Sequence, residues 1–288
     1  MPERCGPGVE RLITERYELA EGCGWHDGRW RFVDLLQGRL LAHTGAPGER
    51  PQKLLDLDVP LGRVLPATDG TSLAVAGAGF ARLGADGGVT WLVRPEQQRS
   101  GVRMNDGAVD VHGRVWGGAM RLDARAGTGR VHRLEHDGTS TCVVDGVTIP
   151  NGPTFTPDGQ VMYLADSAAG VVYRYELSAA GDLAGREVFA TWSEGSPDGM
   201  ALDVDGGLWI AIWGQGRVER RDRDGRPTAT VALPARQPTC PALGGPDGRD
   251  LLITTAALDL PSSAADGAVY RTRVEVPAAP PLLAAPLC

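Results

Sequence analysis

No apolar run in this 288-residue chain approaches the roughly 18–20 residues that span a bilayer, which excludes a transmembrane helix. Its first residues, Met1-Pro-Glu-Arg-Cys-Gly6, lack the basic region and apolar stretch of a secretory signal. A soluble, cytoplasmic protein without a membrane partner is the expectation. Cysteine is scarce and scattered: Cys5, Cys23, Cys142, Cys240 and Cys288 include no Cys-x-x-Cys pair, so neither a zinc knuckle nor a secreted disulfide framework is indicated. Reduced thiols are expected. A basic excess is also missing. Twenty-nine Lys and Arg against 36 Asp and Glu leave a net charge of −7, with the basic residues dispersed, which argues against nucleic acid as a partner. There is no Gly-x-Ser-x-Gly elbow, and Ser167, Ser193 and Ser196 have no His and Asp partners at a readable spacing. His132 and His136 have the spacing of a helical metalloprotease pair but lie in strand-and-turn sequence, where they read as surface or hairpin-turn residues.

Turn dipeptides recur instead. Asp27-Gly28, Asp69-Gly70, His112-Gly113, Asp158-Gly159, Asp205-Gly206 and Asp247-Gly248 follow one another at intervals of 42 to 47 residues. After most of them comes a strand-like run, a break, and a second run opening with Gly, as in Gln160–Ala165 followed by Gly170–Tyr175. Short runs rich in Val, Ile, Tyr and Trp bounded by Asp-Gly read as hairpins. A period of roughly 40–50 residues with several strands per unit is the signature of a β-propeller. The expected fold is all-β: six blades of four antiparallel strands in one domain spanning residues 1–288. Forty Gly and 21 Pro supply the turns, while a 42% hydrophobic fraction is too large for a disordered chain. Val9 to Ile13 is expected to fill the outer edge of the last blade and so close the ring. The Pro- and Ala-rich tail, 277–288, is expected to be peripheral. Trp116 and Trp209 hold equivalent strand positions and read as packing between blades.

The repeat then serves as a ruler, because the innermost strands of a propeller line one channel. Seven residues before each turn dipeptide, or six in the first unit, stand Glu21, Gly62, Asn105, Asn151, Asp198 and Cys240. Two carboxylates and two amide carbonyls converging at one mouth make a hard, all-oxygen site suited to a divalent cation. Asn-Gly and Asp-Gly are also common turn dipeptides, so Asn151-Gly152 alone is ambiguous. Pro197-Asp-Gly199 is less so, since it precedes its own hairpin turn. Arg103 and Asn105, two apart on a strand, face the same side and would offer donors to a carbonyl or hydroxyl. Asp106 would face away and serve as a backbone or turn partner.

Leu19–Gly28, Arg103–Met120, Pro150-Asn-Gly152 and Ser196–Asp203, in this order and spacing, resemble the senescence marker protein (regucalcin) and gluconolactonase family of six-bladed propeller lactonases. The resemblance runs over nearly the whole chain. It implies one divalent metal ion held by Glu21, Asn151 and Asp198, with substrate bound by Arg103 and Asn105. Some sugar lactonases of the family place an acidic residue after a Gly-Gly-Ala-Met stretch, and Asp123 stands near that position. The family's Glu-Gly-Pro-x-Trp is replaced by Glu21-Gly-Cys-Gly-Trp25, making Cys23 either a packed small residue or a soft neighbour of the metal.

The implied activity is opening of a small lactone, most simply a sugar-acid lactone. The cation would polarise the carbonyl and activate water, with Asp198 as general base and Arg103 and Asn105 fixing the pose. Ca²⁺, Zn²⁺, Mn²⁺, Mg²⁺ and Fe²⁺ all suit the donor set. Two alternatives stay open: hydrolysis of another ester, a phosphotriester or a specialised metabolite, and a non-catalytic calcium-binding propeller. The native lactone and the oligomeric state are not written in the sequence.

Overall fold

Each of the six turn dipeptides closes a hairpin between the two innermost strands of a four-stranded sheet, and the glycine of each adopts positive φ, between 70° and 81°. The computed structural model describes residues 8–84 and 87–287; Cys5 and Cys288 lie outside them. After β1 (Glu10–Ile13), blade one comprises β2 (Ala20–His26), β3 (Arg29–Asp34), β4 (Arg39–His43) and β5 (Gln52–Asp56). Blade two is β6 (Leu61–Pro66), β7 (Ser72–Ala76), β8 (Gly79–Leu83) and β9 (Val89–Val93). Blade three is β10 (Val102–Val109), β11 (Val115–Arg121), β12 (Gly129–Leu134) and β13 (Ser140–Val147). Blade four is β14 (Pro150–Phe155), β15 (Val161–Asp166), β16 (Val171–Leu177) and β17 (Leu183–Thr191), with a single 3₁₀ turn at Ser167–Ala169. Blade five is β18 (Ser196–Leu202), β19 (Leu208–Trp213), β20 (Arg217–Arg221) and β21 (Pro227–Ala232). Blade six is β22 (Pro238–Gly244), β23 (Asp250–Thr255), β24 (Val269–Arg273) and, as its outer strand, β1.

The expected six-bladed propeller is therefore the observed one, and the N-terminal strand closes it. Glu10 pairs with Arg271, Arg11 with Tyr270 and Ile13 with Val269, all antiparallel. This strand removes the free edge of β24 and buries Leu12 and Ile13 against Trp30, Phe32, Leu252 and Val269 at the seam between blades one and six. No helix among the described residues is long and apolar enough to cross a membrane.

Two hairpins share a cap that explains why their sequences look alike. Asp110 accepts from the backbone N–H groups of His112 and Arg114 and from the Trp116 indole, at 2.9, 3.0 and 2.9 Å. Asp203 accepts from the backbone of Asp205 and Gly207 and from the Trp209 indole, at 3.1, 2.8 and 3.1 Å. Both tryptophans are buried, so their polar edge is satisfied where their rings pack.

All six innermost strands carry a register shift near the start of the strand: at Glu21/Gly24, Leu61/Arg63, Met104/Gly107, Asn151/Thr154, Pro197/Met200 and Pro238/Cys240. A bulge adds a residue, bends the strand and re-aims side chains. The six positions found by counting back from the turns fall at or beside these bulges.

The C-terminal tail crosses the hairpin face. Backbone N–H groups of Ala278 and Ala279 donate to the Gly248 and Leu202 carbonyls, and those of Ala284 and Ala285 donate to Pro66 and Gly113. Ala278 to Leu282 form one wall of an axial hollow of about 200 Å³ that is also lined by Cys23, His26, Arg63, Asp106 and Met200. His132 is not the surface residue expected. It is buried on β12 with its Nε2 2.6 Å from Oε1 of Glu96, a buried carboxylate that also pairs with Arg99 at 2.7 Å. Its partner lies 36 residues away and leaves no local trace in the sequence. His136 is exposed, on the hairpin after β12.

Ile13 carries the closure. Ile13→Ala should cost about 3 kcal/mol in chemical denaturation, the usual range for a buried large-to-small change. Glu10→Ala, which removes only an exposed pairing with Arg271, should cost under about 1 kcal/mol.

Candidate active site

Glu21 sits on β2, Asn105 on β10, Asn151 on β14 and Asp198 on β18, each only 5% exposed, at the ends of the inner strands opposite the hairpin turns. The glycine that follows three of them is there for close approach, not for a reverse turn. A Cβ on Gly152 would come within 2.9 Å of the Met200 nitrogen, and one on Gly199 within 2.8 Å of the Thr239 carbonyl. Gly22 and Gly152 also take positive φ, 57° and 49°. In blade two the equivalent position is Gly62, where a Cβ would collide with the Asn105 carbonyl. The ring thus has four oxygen-bearing side chains, one gap and, at Cys240, one buried thiol.

Hydrogen bonds link the middle of this ring. Arg103 Nη1 donates to Asn105 Oδ1 at 2.6 Å and to the Met104 carbonyl at 3.0 Å. Asn105 Nδ2 donates to Asn151 Oδ1 at 2.5 Å and to the Pro150 carbonyl at 3.1 Å. Asn151 Nδ2 donates to Ser167 Oγ at 2.9 Å, and the Ser167 hydroxyl donates to the Pro197 carbonyl at 2.6 Å. Because Ser167 spends its proton on Pro197, it must accept from Asn151, which turns the Asn151 amide oxygen toward Asn105. Ser167 was not among the candidate residues. It stands on the loop after β15, outside the phase that the repeat defines. Thr239, one residue from the ring position of blade six, was missed too; its hydroxyl donates to the Ala20 carbonyl at 2.6 Å and ties β22 to the strand carrying Glu21.

Asp106 faces away from Asn105 and serves as a backbone partner. Its Oδ2 accepts from Gly152 N at 2.9 Å, its Oδ1 accepts from Gly107 N at 2.7 Å, and Arg63 lies 3.5 Å from it. Asp123 stands in the β11–β12 loop, exposed. Both of its oxygens accept from Arg121 at 2.8 Å, and these bonds hold its carboxyl at about 2. Cys23 packs in the seam between blades one and six, its thiol donating to the Cys240 carbonyl at 3.2 Å.

The electrostatics are unbalanced. Burial, and then the charge of Asp198, push the Glu21 carboxyl well above the ordinary range. Burial, and then the charge of Asp106, do the same to Asp198. Among the described residues Glu21 Oε2 accepts the neighbouring Gly22 N–H at 3.0 Å and no other donor, and Asp198 Oδ1 is buried without a hydrogen-bond partner. The nearby cation, Arg103, is lowered to about 10 by burial, against the pull of Glu21 and Asp198, and its hydrogen bonds go to Asn105 and Met104. Two buried acids and an oriented amide oxygen fit a divalent cation, which would supply the missing charge and fill the orphaned lone pair. Among the described residues no three of His, Cys, Asp and Glu assemble a metal-holding group, so cation binding here needs the Asn151 oxygen.

Residues 19–257 match the family model described as the SMP-30/Gluconolactonase/LRE-like region. The chain belongs to this family. It is 36% identical over 270 residues to pentonolactonase XacC of Haloferax volcanii, covering 90% of this chain and 89% of that one. It is 34% identical to the 6-deoxy-6-sulfogluconolactonase of Pseudomonas putida, over 88% of this chain and 90% of the relative. The crystal structure of a calcium-binding regucalcin from Agrobacterium tumefaciens superposes with a TM-score of 0.88 at 29% identity, covering 96% of each chain. These SMP-30-type relatives have the length and the fold of the present protein.

The charge imbalance has a measurable sign. Because the folded, cation-free protein holds protons on Glu21 and Asp198 that the unfolded chain releases, its stability should fall as pH rises above about 4, the ordinary carboxylate value. Asp198→Asn should flatten this slope and raise the neutral-pH stability of chelated protein by roughly 2 kcal/mol, read by urea denaturation.

Proposed function

We propose that this protein hydrolyses a small lactone, most simply a sugar-acid lactone, with a divalent cation bound by Glu21, Asn151 and Asp198. The observation that carries the reading is the orphaned, buried Asp198 oxygen beside a second buried carboxylate and an amide held by Asn105 and Ser167. The names of the relatives, pentonolactonase and 6-deoxy-6-sulfogluconolactonase, supply the substrate class.

A cation bound there would polarise the lactone carbonyl and acidify water. The chain's own residues supply the remainder. The Asp198 carboxylate, with a lone pair beyond the one it would give the cation, accepts a proton from the attacking water. Arg103 uses Nη1 to anchor itself on Asn105 and Met104, which leaves Nε and Nη2 to donate to lactone oxygens. Asn105 has its oxygen engaged by Arg103 and its nitrogen by Asn151 and Pro150, so it fixes two neighbours at once and braces the substrate pose. Asp123 reaches a substrate hydroxyl only if its pairing with Arg121 opens.

A panel of aldonolactones followed by proton release should show hydrolysis that chelation removes and a divalent cation restores. Asp198→Asn should lower kcat/KM by about 10³-fold, the scale of losing an activating group together with a ligand. Turnover unaffected by chelation would exclude the reading. Ser167→Ala should weaken cation affinity about tenfold, as loss of a ligand's orienting partner does, with little change in fold by circular dichroism.

A further inference from the structure

Two of the chain's thiols meet where blades one and six join. Cys23 on β2 and Cys240 on β22 are 1% and 0% exposed, and they belong to the same buried cluster as Trp30, Phe32 and Ile13. The Cys23 thiol donates to the Cys240 carbonyl at 3.2 Å, which brings the two residues together across the seam. Arg63 Nη1 sits 3.5 Å from the Cys240 sulfur. Cys23 also lines the axial hollow of about 200 Å³ beneath the ring of oxygen donors, which gives a small oxidant a place to reach it. The described structure leaves both cysteines unbridged.

We infer that Cys23 and Cys240 form an oxidisable pair which a peroxide converts to a disulfide joining the inner strands of the first and last blades. The Cys23 sulfur attacks one peroxide oxygen; the O–O bond breaks, one water leaves, and Cys23 becomes a sulfenic acid. The Cys240 sulfur then attacks the Cys23 sulfur; the S–O bond breaks, a second water leaves, and the S–S bond forms. The two thiol protons end in the two waters, and the two electrons lost by the sulfurs reduce the peroxide. The guanidinium of Arg63 stabilises charge developing on the Cys240 sulfur during the second step. The product encloses most of the chain in one covalent loop, from blade one to blade six, and backs up the seam that β1 closes by hydrogen bonds.

The test uses the full-length protein treated with hydrogen peroxide, quenched, unfolded and alkylated. Three of the five cysteines should take the label, a tryptic Cys23–Cys240 cross-linked peptide should appear, and dithiothreitol should abolish it. The oxidised protein should melt about 5 °C higher, as expected for closure of a long loop. Cys23→Ser should show neither the cross-link nor the shift. If that variant does not fold, the peptide map of the unmodified protein decides alone. Five labelled thiols, oxidation of Cys23 that stops at sulfinic acid, or a bridge from either residue to another cysteine would overturn the inference. No readout depends on a cation or on lactone hydrolysis.

Discussion

Two buried carboxylates that form no salt bridge among the described residues are the constraint around which this propeller is organised. Leaving Glu21 and Asp198 buried in the ring costs free energy that ordinary folding would avoid by pairing, exposure or substitution. Everything around them preserves the imbalance. Bulged inner strands aim the side chains inward, glycines let the next strand come close, and the Arg103 guanidinium hydrogen-bonds to Asn105 and Met104 and not to the acids. A divalent cation bound as proposed would relieve that imbalance.

Holding such a site requires a rigid ring, and a ring of blades is only as strong as its seam. Here the seam is built three times over: β1 hydrogen-bonded to β24, Leu12 and Ile13 packed under Trp30 and Phe32, and Thr239 bonded to the backbone just before Glu21. On the hairpin face the tail spans blades six, five, two and three and walls one side of the hollow under the site.

The blades and the four ring oxygens were legible because one physical quantity, strand length between an inner bulge and an outer turn, repeats in every unit and so appears as constant spacing. Asn151-Gly152, ambiguous as a dipeptide, is resolved by Met200 lying too close for a side chain. The supporting residues were not legible for the same reason. Ser167 acts from a loop, and Thr239 acts one residue off the ring phase. Glu96 meets His132 across a blade boundary, and the tail has no periodicity to read. The bulges themselves have no residue signature beyond glycines such as Gly22, Gly62, Gly152 and Gly199, where a Cβ would clash. Asp123, chosen by its distance from a motif, is held on the outside by Arg121.

Isothermal titration of chelated protein with Ca²⁺ or Mn²⁺, repeated in buffers of different ionisation enthalpy, tests the central claim most directly. The account predicts one ion per chain and release of protons on binding, with both lost when Glu21 and Asp198 are each replaced by their amides. Absence of binding, or binding that neither replacement affects, would contradict it.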